Sequence, residues 1–359
     1  MPLALGEPAP WFTAPTPSNP EFVFDTAAGR YILMVFLPAD AVAAGQALRV
    51  LAAHQANFDD QMLSAFVVVR DAGLAASAQD MRGLRWFLDA DGTVSRLYGA
   101  LAPDGAEAPM WLLLDPTLRT IGRVQIANAQ MIFDHIARLR PVAEHAGVTL
   151  NAPVLIAPRI FEPELCHQLI ALHAEDGGRF TGVMRDAGDR TVAVMDELKR
   201  RRDILVESVA LQAALRDRLE RRLFPLIQRA LGFSVTRIER FVVSCYDAAD
   251  GAVFHAHRDS TTLGTAHRKF ACSINLNSGF EGGDLRFPEF GPSTYRPPPG
   301  GAVVFSCALL HEAMRMTAGR RYAFLPFFYD EAGAQVLAAY QQRTGAAAVD
   351  PPLAEPALR

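Results

Sequence analysis

Cysteine is scarce in this 359-residue chain and absent from residues 1–150, the N-terminal part that is called the first half below. The cysteines that are present show no CxxC pair and no zinc-ligand spacing; they are Cys166, Cys245, Cys272 and Cys307. Because the thiolate is the reactive form of cysteine and no other side chain replaces it, thiol redox chemistry is excluded from the first half. We expect the four thiols to be reduced and buried as small core residues.

The sequence also lacks a strong excess of charge and any long apolar run. Lys and Arg total 35 against 39 for Asp and Glu, so the net charge of -4 provides no strong field for nucleic acid or an anionic membrane. No stretch approaches the roughly 18 apolar residues of a membrane span, and no basic leader precedes an apolar run. We therefore expect a soluble, cytoplasmic protein with neither nucleic acid nor membrane as a partner. The basic run Lys199-Arg200-Arg201-Arg202 is interpreted as the solvated face of a helix.

The length predicts two domains, and the first half has the pattern of a small α/β domain. Apolar runs predict buried strands at 31–37, 65–69 and 110–114, and helical patterns follow at 41–56 and 130–139. The domain boundary is expected between residues 146 and 153. We assign residues 1–148 to the first domain, 152–332 to the second, and 333–359 to a C-terminal helix and tail that is disordered or loosely packed from Gly345.

The second half begins with helical patterns and continues with many short strands. Helices are predicted at 163–174 and within 196–232, and the predicted strands are 238–246, 270–277, 283–287, 301–306 and 322–329. This order predicts a double-stranded β-helix (jelly roll) with supporting helices.

His257 and Asp259 are two residues apart, which on one strand places both side chains on the same face, with Arg258 pointing away. His311 follows a later apolar strand and is the predicted third ligand. Two histidines and one carboxylate bind Fe(II) and leave positions open for a bidentate co-substrate and O2. The pair alone is a weak signal, and its combination with His311, Gly319 and Arg321 predicts an iron site. His255 is interpreted as lying on the face of His257, either lining the pocket or simply packed or exposed.

Arg321 begins an apolar strand, where a guanidinium is costly to bury unless it meets an anion. The distal carboxylate of a keto acid is a suitable bidentate partner, and an internal Arg–Glu pair is the alternative. Arg320 faces the other way and replaces Arg321 if the register is shifted by one. Arg286 could line the substrate mouth, and Arg268 is expected on a solvated strand edge.

The first half resembles the peroxiredoxin branch of the thioredoxin fold over roughly residues 4–145. The resemblance rests on the opening Gly6-Glu7-Pro8-Ala9-Pro10-Trp11-Phe12 and on Phe36-Leu37-Pro38-Ala39 at the end of a strand. It implies a thioredoxin-like domain, but the redox cysteine of that family is missing. A packing, docking or dimerising role, including a homodimer, is therefore expected in place of peroxidase activity. The resemblance also implies a cis Pro109, and an ordinary trans proline is equally compatible with the sequence.

The second half resembles the prolyl-4-hydroxylase-like branch of Fe(II)- and 2-oxoglutarate-dependent oxygenases over about residues 155–330. The matching residues are Tyr246, Gly251, Phe254, His257, Asp259, Asn275-Leu276-Asn277, Gly282-Gly283-Asp284-Leu285, His311-Glu312, Gly319 and Arg321. The resemblance implies His257, Asp259 and His311 as iron ligands, with Arg321 and the Tyr246 hydroxyl on the distal carboxylate of 2-oxoglutarate. The family often has Tyr where Asn275 stands, and Asn275 is a further candidate for contact with the keto acid.

The activity implied by this resemblance is hydroxylation of an unactivated C–H with release of succinate and CO2. A peptidyl proline or another protein side chain is the suggested substrate, and a free amino acid or small metabolite stays open. The cofactors expected are Fe(II), 2-oxoglutarate as co-substrate and, as an optional addition, ascorbate. A binding scaffold without catalysis is the alternative function, because the first half has already lost its reactive thiol.

Overall fold

The computed structural model describes residues 3–345, which form two compact units. The first unit comprises residues 3–152 with 288–292, and the second comprises residues 153–287 with 293–345. Residues 346–359 of the predicted loose tail lie outside the described residues. Within the described part of the chain, no helix combines the length and apolar character that crossing a membrane requires.

The first unit alternates strands and helices before it ends in a hairpin and a helix. Its strands are β1 Thr13–Ala14, β2 Phe22–Val23, β3 Tyr31–Phe36, β4 Leu63–Val69, β5 Leu84–Leu88, β6 Met110–Leu114 and β7 Thr120–Gln125. Its helices are α1 Ala41–Ala53, α2 Ala72–Ser77, α3 Thr93–Leu97 and α4 Ala129–Ile136. The sheet order is β5-β4-β3-β6-β7, with β3, β4 and β5 parallel and the β6–β7 hairpin antiparallel.

The predicted apolar runs form the centre of this sheet because every residue of β3, β4 and β6 is buried. Strands covered on both faces have continuous apolar runs, which made them readable from the sequence. The unit has the α/β organisation with a late hairpin that its thioredoxin-like resemblance implies. Pro109 is trans, since no cis peptide bond occurs in residues 3–345.

The second unit contains two main sheets and supporting helices. Its strands are β8 Leu155–Ala157, β9 Arg179–Phe180, β10 Val183–Ala187, β11 Arg190–Val194, β12 Lys199–Arg200, β13 Arg202–Leu205, β14 Arg237–Glu239, β15 Val242–Asp247, β16 Val253–His257, β17 Phe270–Asn275, β18 Glu281–Gly282, β19 Leu285–Arg286, β20 Thr294–Tyr295, β21 Ala302–Ser306, β22 His311–Ala313, β23 Met316–Ala318, β24 Arg320–Phe324 and β25 Phe327–Tyr329. Its helices are α5 Pro163–Asp176, α6 Val209–Arg218, α7 Phe224–Leu231 and α8 Glu331–Thr344.

The larger sheet has the order β14-β25-β17-β24-β15-β13-β9, with β21 and β8 attached beside β17, and the smaller sheet has the order β12-β16-β22-β19-β20. Side chains alternate between the two faces of the larger sheet. Val243, Ile274 and Phe324 lie in a hydrophobic cluster with Leu169 of α5 and Leu215 of α6. The opposite face carries polar side chains and lines a cavity that the smaller sheet also borders. This two-sheet arrangement is compatible with the predicted jelly roll.

Several predicted elements differ from the observed ones. The span 196–232 was predicted to be helical, but it begins with β12 and β13 and becomes helical only at Val209. The predicted strand 238–246 divides into β14 and β15 at Arg240, whose φ of 52° is left-handed. The predicted strand 322–329 divides into β24 and β25 around Pro326, since proline has no N–H to donate within a sheet.

Candidate metal centre and its cavity

The three predicted metal ligands come together at the edge where two strands of the smaller sheet pair. His257 ends β16, His311 begins β22, and the two residues are directly paired in the antiparallel register. Asp259 was predicted to share the strand of His257, but it lies beyond the end of β16, where its N–H donates to the Cys307 carbonyl at 2.9 Å. The prediction failed in this detail because β16 has a register irregularity after Phe254 and stops at His257.

The ligand atoms of this set face one shared space. The Nε2 of His257 lies 3.5 Å from Asp259 Oδ1, and the Nε2 of His311 lies 3.3 Å from Asp259 Oδ2. The Nδ1–H of His257 donates to the His255 carbonyl at 2.7 Å, and the Nδ1–H of His311 donates to the Leu309 carbonyl at 3.0 Å. A proton held at Nδ1 leaves the lone pair of Nε2 for a metal, which is the usual outer support of metal-binding histidines.

The charges of the set favour the forms that bind a metal. Burial, then the charge of His311, lowers the pKa of His257, so its imidazole stays neutral. Burial alone would raise the pKa of Asp259, but the charge of His311 and hydrogen bonds from both histidines lower it well below the usual value. The His257 imidazole is therefore available in its neutral form and the Asp259 carboxylate in its ionised form, as metal binding requires.

These residues fit a single Fe(II) ion. Candidate ligand atoms of the three side chains all lie within 4.8 Å of one another. Neighbouring ligands of one six-coordinate ion, each about 2.1 Å from it, lie about 3 Å apart, close to the separations seen here. The donor set is the two-histidine, one-carboxylate set of non-haem iron sites, which leaves positions open for other ligands.

Arg321 lies on β24 directly opposite Tyr246 on β15 and is 2 % exposed. Its Nε donates to Asn275 Oδ1 at 2.9 Å, and its Nη2 donates to Ser273 Oγ at 2.7 Å. Within residues 3–345 no carboxylate forms an ion pair with it, so the alternative of an internal Arg–Glu pair is not observed. Burial lowers the pKa of Arg321, because a charged guanidinium loses free energy of hydration when it is removed from water. Arg320 is exposed and donates to Asp247 at 2.6 Å, so the register is the predicted one.

Asn275 holds Arg321 in place from the neighbouring strand. It accepts from the Arg321 Nε, and its own Nδ2 donates to the Pro297 carbonyl at 2.8 Å. Both side-chain atoms of this buried amide are thus used within the protein. Its predicted contact with the keto acid stays a prediction, and the structure adds a supporting role toward Arg321.

The basic run 199–202 was interpreted as a solvated helix face, and that interpretation is wrong. Lys199 and Arg201 are buried, and both contact the carboxylate of Asp203. Arg201 also donates through Nη1 to the Tyr246 hydroxyl at 2.8 Å and lines the cavity. The available signal was the alternation of Lys199, Arg201 and Asp203, which is a strand period with opposite charges on one face. Arg200, between them, is exposed.

Arg268 is also buried, contrary to the predicted solvated edge. It donates to both carboxylate oxygens of Glu239, which also accepts from His267 Nε2 at 2.8 Å. Burial alone would raise the pKa of Glu239, but the charge of Arg268 and these hydrogen bonds keep it well below the usual value. The carboxylate therefore stays ionised and neutralises Arg268 beside the metal-binding segment, whose Asp259 carbonyl accepts from Arg268 Nη1 at 3.4 Å.

The cavity beside the metal ligands encloses about 50 Å³ and is narrow. Phe254, Leu285 and Phe305 are among its apolar lining residues, and Arg321 and Tyr246 are among its polar ones. His255 does not share this space. It is exposed in a separate groove, because the irregularity in β16 turns it away from the face of His257.

Arg286 is also outside the lining of the cavity. It pairs with Glu312 at 2.5 Å, while the preceding Leu285 faces inward. The sequence-based suggestion that Arg286 lines the substrate mouth gains no support from this arrangement.

The loop after β3, which the sequence resemblance compares with the thiol-bearing loop of peroxiredoxins, carries no thiol. The loop after β3 reaches Ala39, whose N–H donates to Glu107 Oε2 at 3.0 Å, and Glu107 also pairs with Arg70. No cysteine lies in this half of the chain. The four thiols of the second unit are free and buried, as expected.

One family model matches the part of the chain that contains the candidate metal ligands. Residues 241–329 match the 2OG-Fe(II) oxygenase superfamily, a segment that includes the three candidate ligands and Arg321. No curated protein matches the chain. The C-terminal unit therefore contains a 2OG-Fe(II) oxygenase domain, and the enzyme class is 2-oxoglutarate-dependent dioxygenase.

Solved structures resemble each unit at low identity. A viral collagen prolyl hydroxylase from Paramecium bursaria Chlorella virus-1 is 13% identical, with 50% of this chain and 96% of that chain covered and a TM-score of 0.38. A Pseudomonas putida prolyl-4-hydroxylase is 18% identical, with 50% and 93% covered and a TM-score of 0.37. A mitochondrial 2-Cys peroxiredoxin from Plasmodium falciparum is 14% identical, with 37% and 92% covered and a TM-score of 0.33.

Proposed function

We propose that this dioxygenase hydroxylates an unactivated C–H on a protein or peptide side chain, with peptidyl proline as the first candidate. One observation carries the proposal. A buried guanidinium that pairs with no carboxylate in the described residues lines the same narrow cavity as a buried two-histidine, one-carboxylate set. A small dianionic keto acid that also binds the metal satisfies both features at once.

The proposed roles follow from the positions of the side chains. His257, Asp259 and His311 would hold Fe(II), which together with 2-oxoglutarate supplies the activation of O2 for C–H oxidation. Arg321, with two of its nitrogens fixed by Ser273 and Asn275, presents its remaining N–H donors to the distal carboxylate. Because these partners are already in place, little further ordering is needed when the anion binds.

Tyr246 would contribute its hydroxyl proton to the same carboxylate. It faces Arg321 across the paired strands, and the Arg321 guanidinium carbon lies 5.2 Å from the centre of its ring. Phe254 and Phe305 pack against the histidine rings, with centroids 3.5 Å and 4.6 Å apart, and exclude water from them. Exclusion of water protects a reactive site from side reactions.

The size of the cavity favours a substrate that is presented from outside. The free space beside the metal ligands is small, about 50 Å³, so it leaves no room for an enclosed substrate beside a bound co-substrate. His257 is the most accessible ligand, with 19% of its side chain exposed. A side chain carried on a larger molecule can approach there, as the sequence resemblance to the prolyl-4-hydroxylase-like branch suggests.

The test is succinate release from 2-oxoglutarate with Fe(II), measured with proline-containing peptides, free amino acids and no added substrate. We expect iron-dependent release that a peptide stimulates, and none in His257→Ala. His255→Ala is the matched control, because that exposed histidine lies two residues earlier and outside the cavity. Repeating the assay with ascorbate tests the optional cofactor.

Two outcomes would contradict parts of this proposal. Stimulation by a free amino acid and by no peptide would replace the protein substrate with a metabolite. No iron-dependent turnover under any condition, together with no visible absorption from an anaerobic Fe(II)–keto acid chelate, would favour the binding scaffold.

A further inference from the structure

Arg201 lies where the chain passes from one sheet of the second unit to the other. The preceding β12 pairs with β16 in the smaller sheet, and the following β13 pairs with β15 in the larger sheet. A residue at this crossover is directed between the sheets, and Arg201 is 5 % exposed and lines the cavity. Its guanidinium carbon lies 5.5 Å from the centre of the ring of Phe254, which lies on β16 together with the candidate ligand His257.

Tyr246 is flanked by two guanidinium groups. Arg321 is its direct partner on β24, and Arg201 immediately precedes β13, which is the other strand paired with β15. Arg201 Nη1 donates to the Tyr246 hydroxyl oxygen at 2.8 Å. A phenol oxygen that accepts a hydrogen bond from a cation keeps its own proton for another acceptor. The arrangement thus directs the Tyr246 O–H toward an anion.

The charge of Arg201 is only partly neutralised inside the protein. Asp203 accepts from Arg201 Nε at 2.9 Å, but the same carboxylate accepts from Lys199 Nζ at 3.1 Å and from Ser244 Oγ at 2.5 Å. One carboxylate therefore faces both Arg201 and Lys199, whose pKa burial lowers to about 7, and Arg321 nearby has no carboxylate partner within residues 3–345. Positive charge that burial has removed from water favours a ligand that carries a second negative charge.

We propose that Arg201 is a specificity-determining residue of the keto-acid site, which orients the Tyr246 hydroxyl and selects a keto acid with two carboxylates. This inference rests on the proposed binding of 2-oxoglutarate. It assigns a role to the basic run that neither the family match nor the sequence pattern assigns, and it separates Arg201 from the exposed Arg200 beside it.

The experiment measures binding of two keto acids to the full chain loaded with Mn(II) in the absence of oxygen, by calorimetry. The probes are 2-oxoglutarate and 2-oxovalerate, which have the same five-carbon backbone but differ in the distal carboxylate. In Arg201→Met we expect 2-oxoglutarate to bind about 10- to 100-fold more weakly, the usual range for a lost charged hydrogen bond. Binding of 2-oxovalerate should change little, so the preference between the two should fall by a similar factor.

Arg200→Met is the matched control, since it removes the same charge from an exposed position one residue away. Tyr246→Phe and the double variant Arg201→Met with Tyr246→Phe complete a double-mutant cycle. If Arg201 acts through the Tyr246 hydroxyl, the losses of binding free energy in the two single variants should be far from additive. Arg201→Lys, which restores the charge, should recover part of the preference. Lys199 remains to pair with Asp203 in Arg201→Met, and circular dichroism checks that each variant is folded.

The outcomes separate this inference from the function on which it rests. If the wild type binds no 2-oxoglutarate, the proposed function fails. If the wild type binds it and Arg321→Gln does not, but folded Arg201→Met keeps both affinity and preference, only the role of Arg201 is overturned. Additive losses in the cycle would overturn its action through Tyr246.

Discussion

Loading the metal centre with Mn(II), a stand-in for Fe(II) that does not oxidise readily, should raise the melting temperature of the second unit. A ligand that binds only the folded state at about 100 times its Kd stabilises it by about 2.7 kcal/mol. The second unit falls in the size class of about 150–250 residues, where 1 kcal/mol corresponds to about 2–4 °C. We therefore expect a rise of about 5–11 °C relative to the same protein in a chelator.

Removal of one ligand should almost abolish this rise. In His311→Ala, we expect the affinity for Mn(II) to fall about 100-fold. At the same Mn(II) concentration, the stabilisation by bound metal is then only about 0.4 kcal/mol, which raises the melting temperature by at most about 2 °C. The assay is differential scanning calorimetry, which resolves the transitions of a chain with two units. Each variant is compared with itself in chelator, so the stability cost of the substitution cancels.

His255→Ala provides the control, because its side chain is exposed and lies outside the cavity. It should keep the full rise. The reasoning is refuted if the wild type shows no rise at saturating Mn(II), or if His311→Ala keeps the rise of the wild type. Either result would mean that the three side chains do not act as one binding site.

Three further predictions concern the surroundings of the site. Asn275→Ala leaves the Arg321 Nε without its acceptor. The affinity for 2-oxoglutarate, measured by calorimetry, should therefore fall, and the free energy of unfolding in urea should drop by about 1–3 kcal/mol. Unchanged values of both quantities would contradict the supporting role of Asn275. Burial raises the pKa of all four thiols, so Ellman's reagent at pH 8 should label none in the folded protein and four after unfolding; rapid labelling in the folded state would show that the packing is wrong. Burial and the charge of Arg201 lower the pKa of Lys199 to about 7 in the folded protein. In the unfolded chain the lysine keeps its ordinary pKa of about 10.4. The unfolded state therefore binds more protons between about pH 7 and 10.4, and the free energy of unfolding rises with pH in that range. Between pH 7 and 9 the wild type should gain up to about 2 kcal/mol over Lys199→Met in urea unfolding, and equal pH slopes would contradict the assignment.

Many of the strands could be predicted from the sequence because their burial leaves a local apolar pattern. The runs that became β3, β4 and β6 are apolar at every position, as strands covered on both faces must be. The strands β17 and β21 were likewise found close to their observed bounds. The boundaries failed where a single backbone conformation interrupts an apolar pattern, as at Arg240 with its φ of 52°. The hairpin of β10 and β11 was missed because its side chains are mostly exposed and show no apolar alternation.

The residues that meet in the candidate metal site could be predicted from the sequence, but the backbone geometry that brings them together could not. His257, His311 and Arg321 were identified from residue types and spacing, and their strand positions agree with that prediction. Asp259 reaches the same space from beyond the end of its strand, which depends on an irregularity in pairing between β16 and β22. Pairing between strands distant in sequence is a long-range property, and no local pattern records where it shifts.

By itself, the sequence determined which chemistry is available: no thiol in the first half, and two imidazoles, a carboxylate and a guanidinium in the second. Only the tertiary structure decided which charges are buried. Lys199 and Arg201 look like a solvated face in sequence, yet the crossover between two sheets turns them inward, where Asp203 and the Tyr246 hydroxyl meet them. The free energy of a charge depends on its surroundings in three dimensions, and those surroundings come from residues that are far away along the chain.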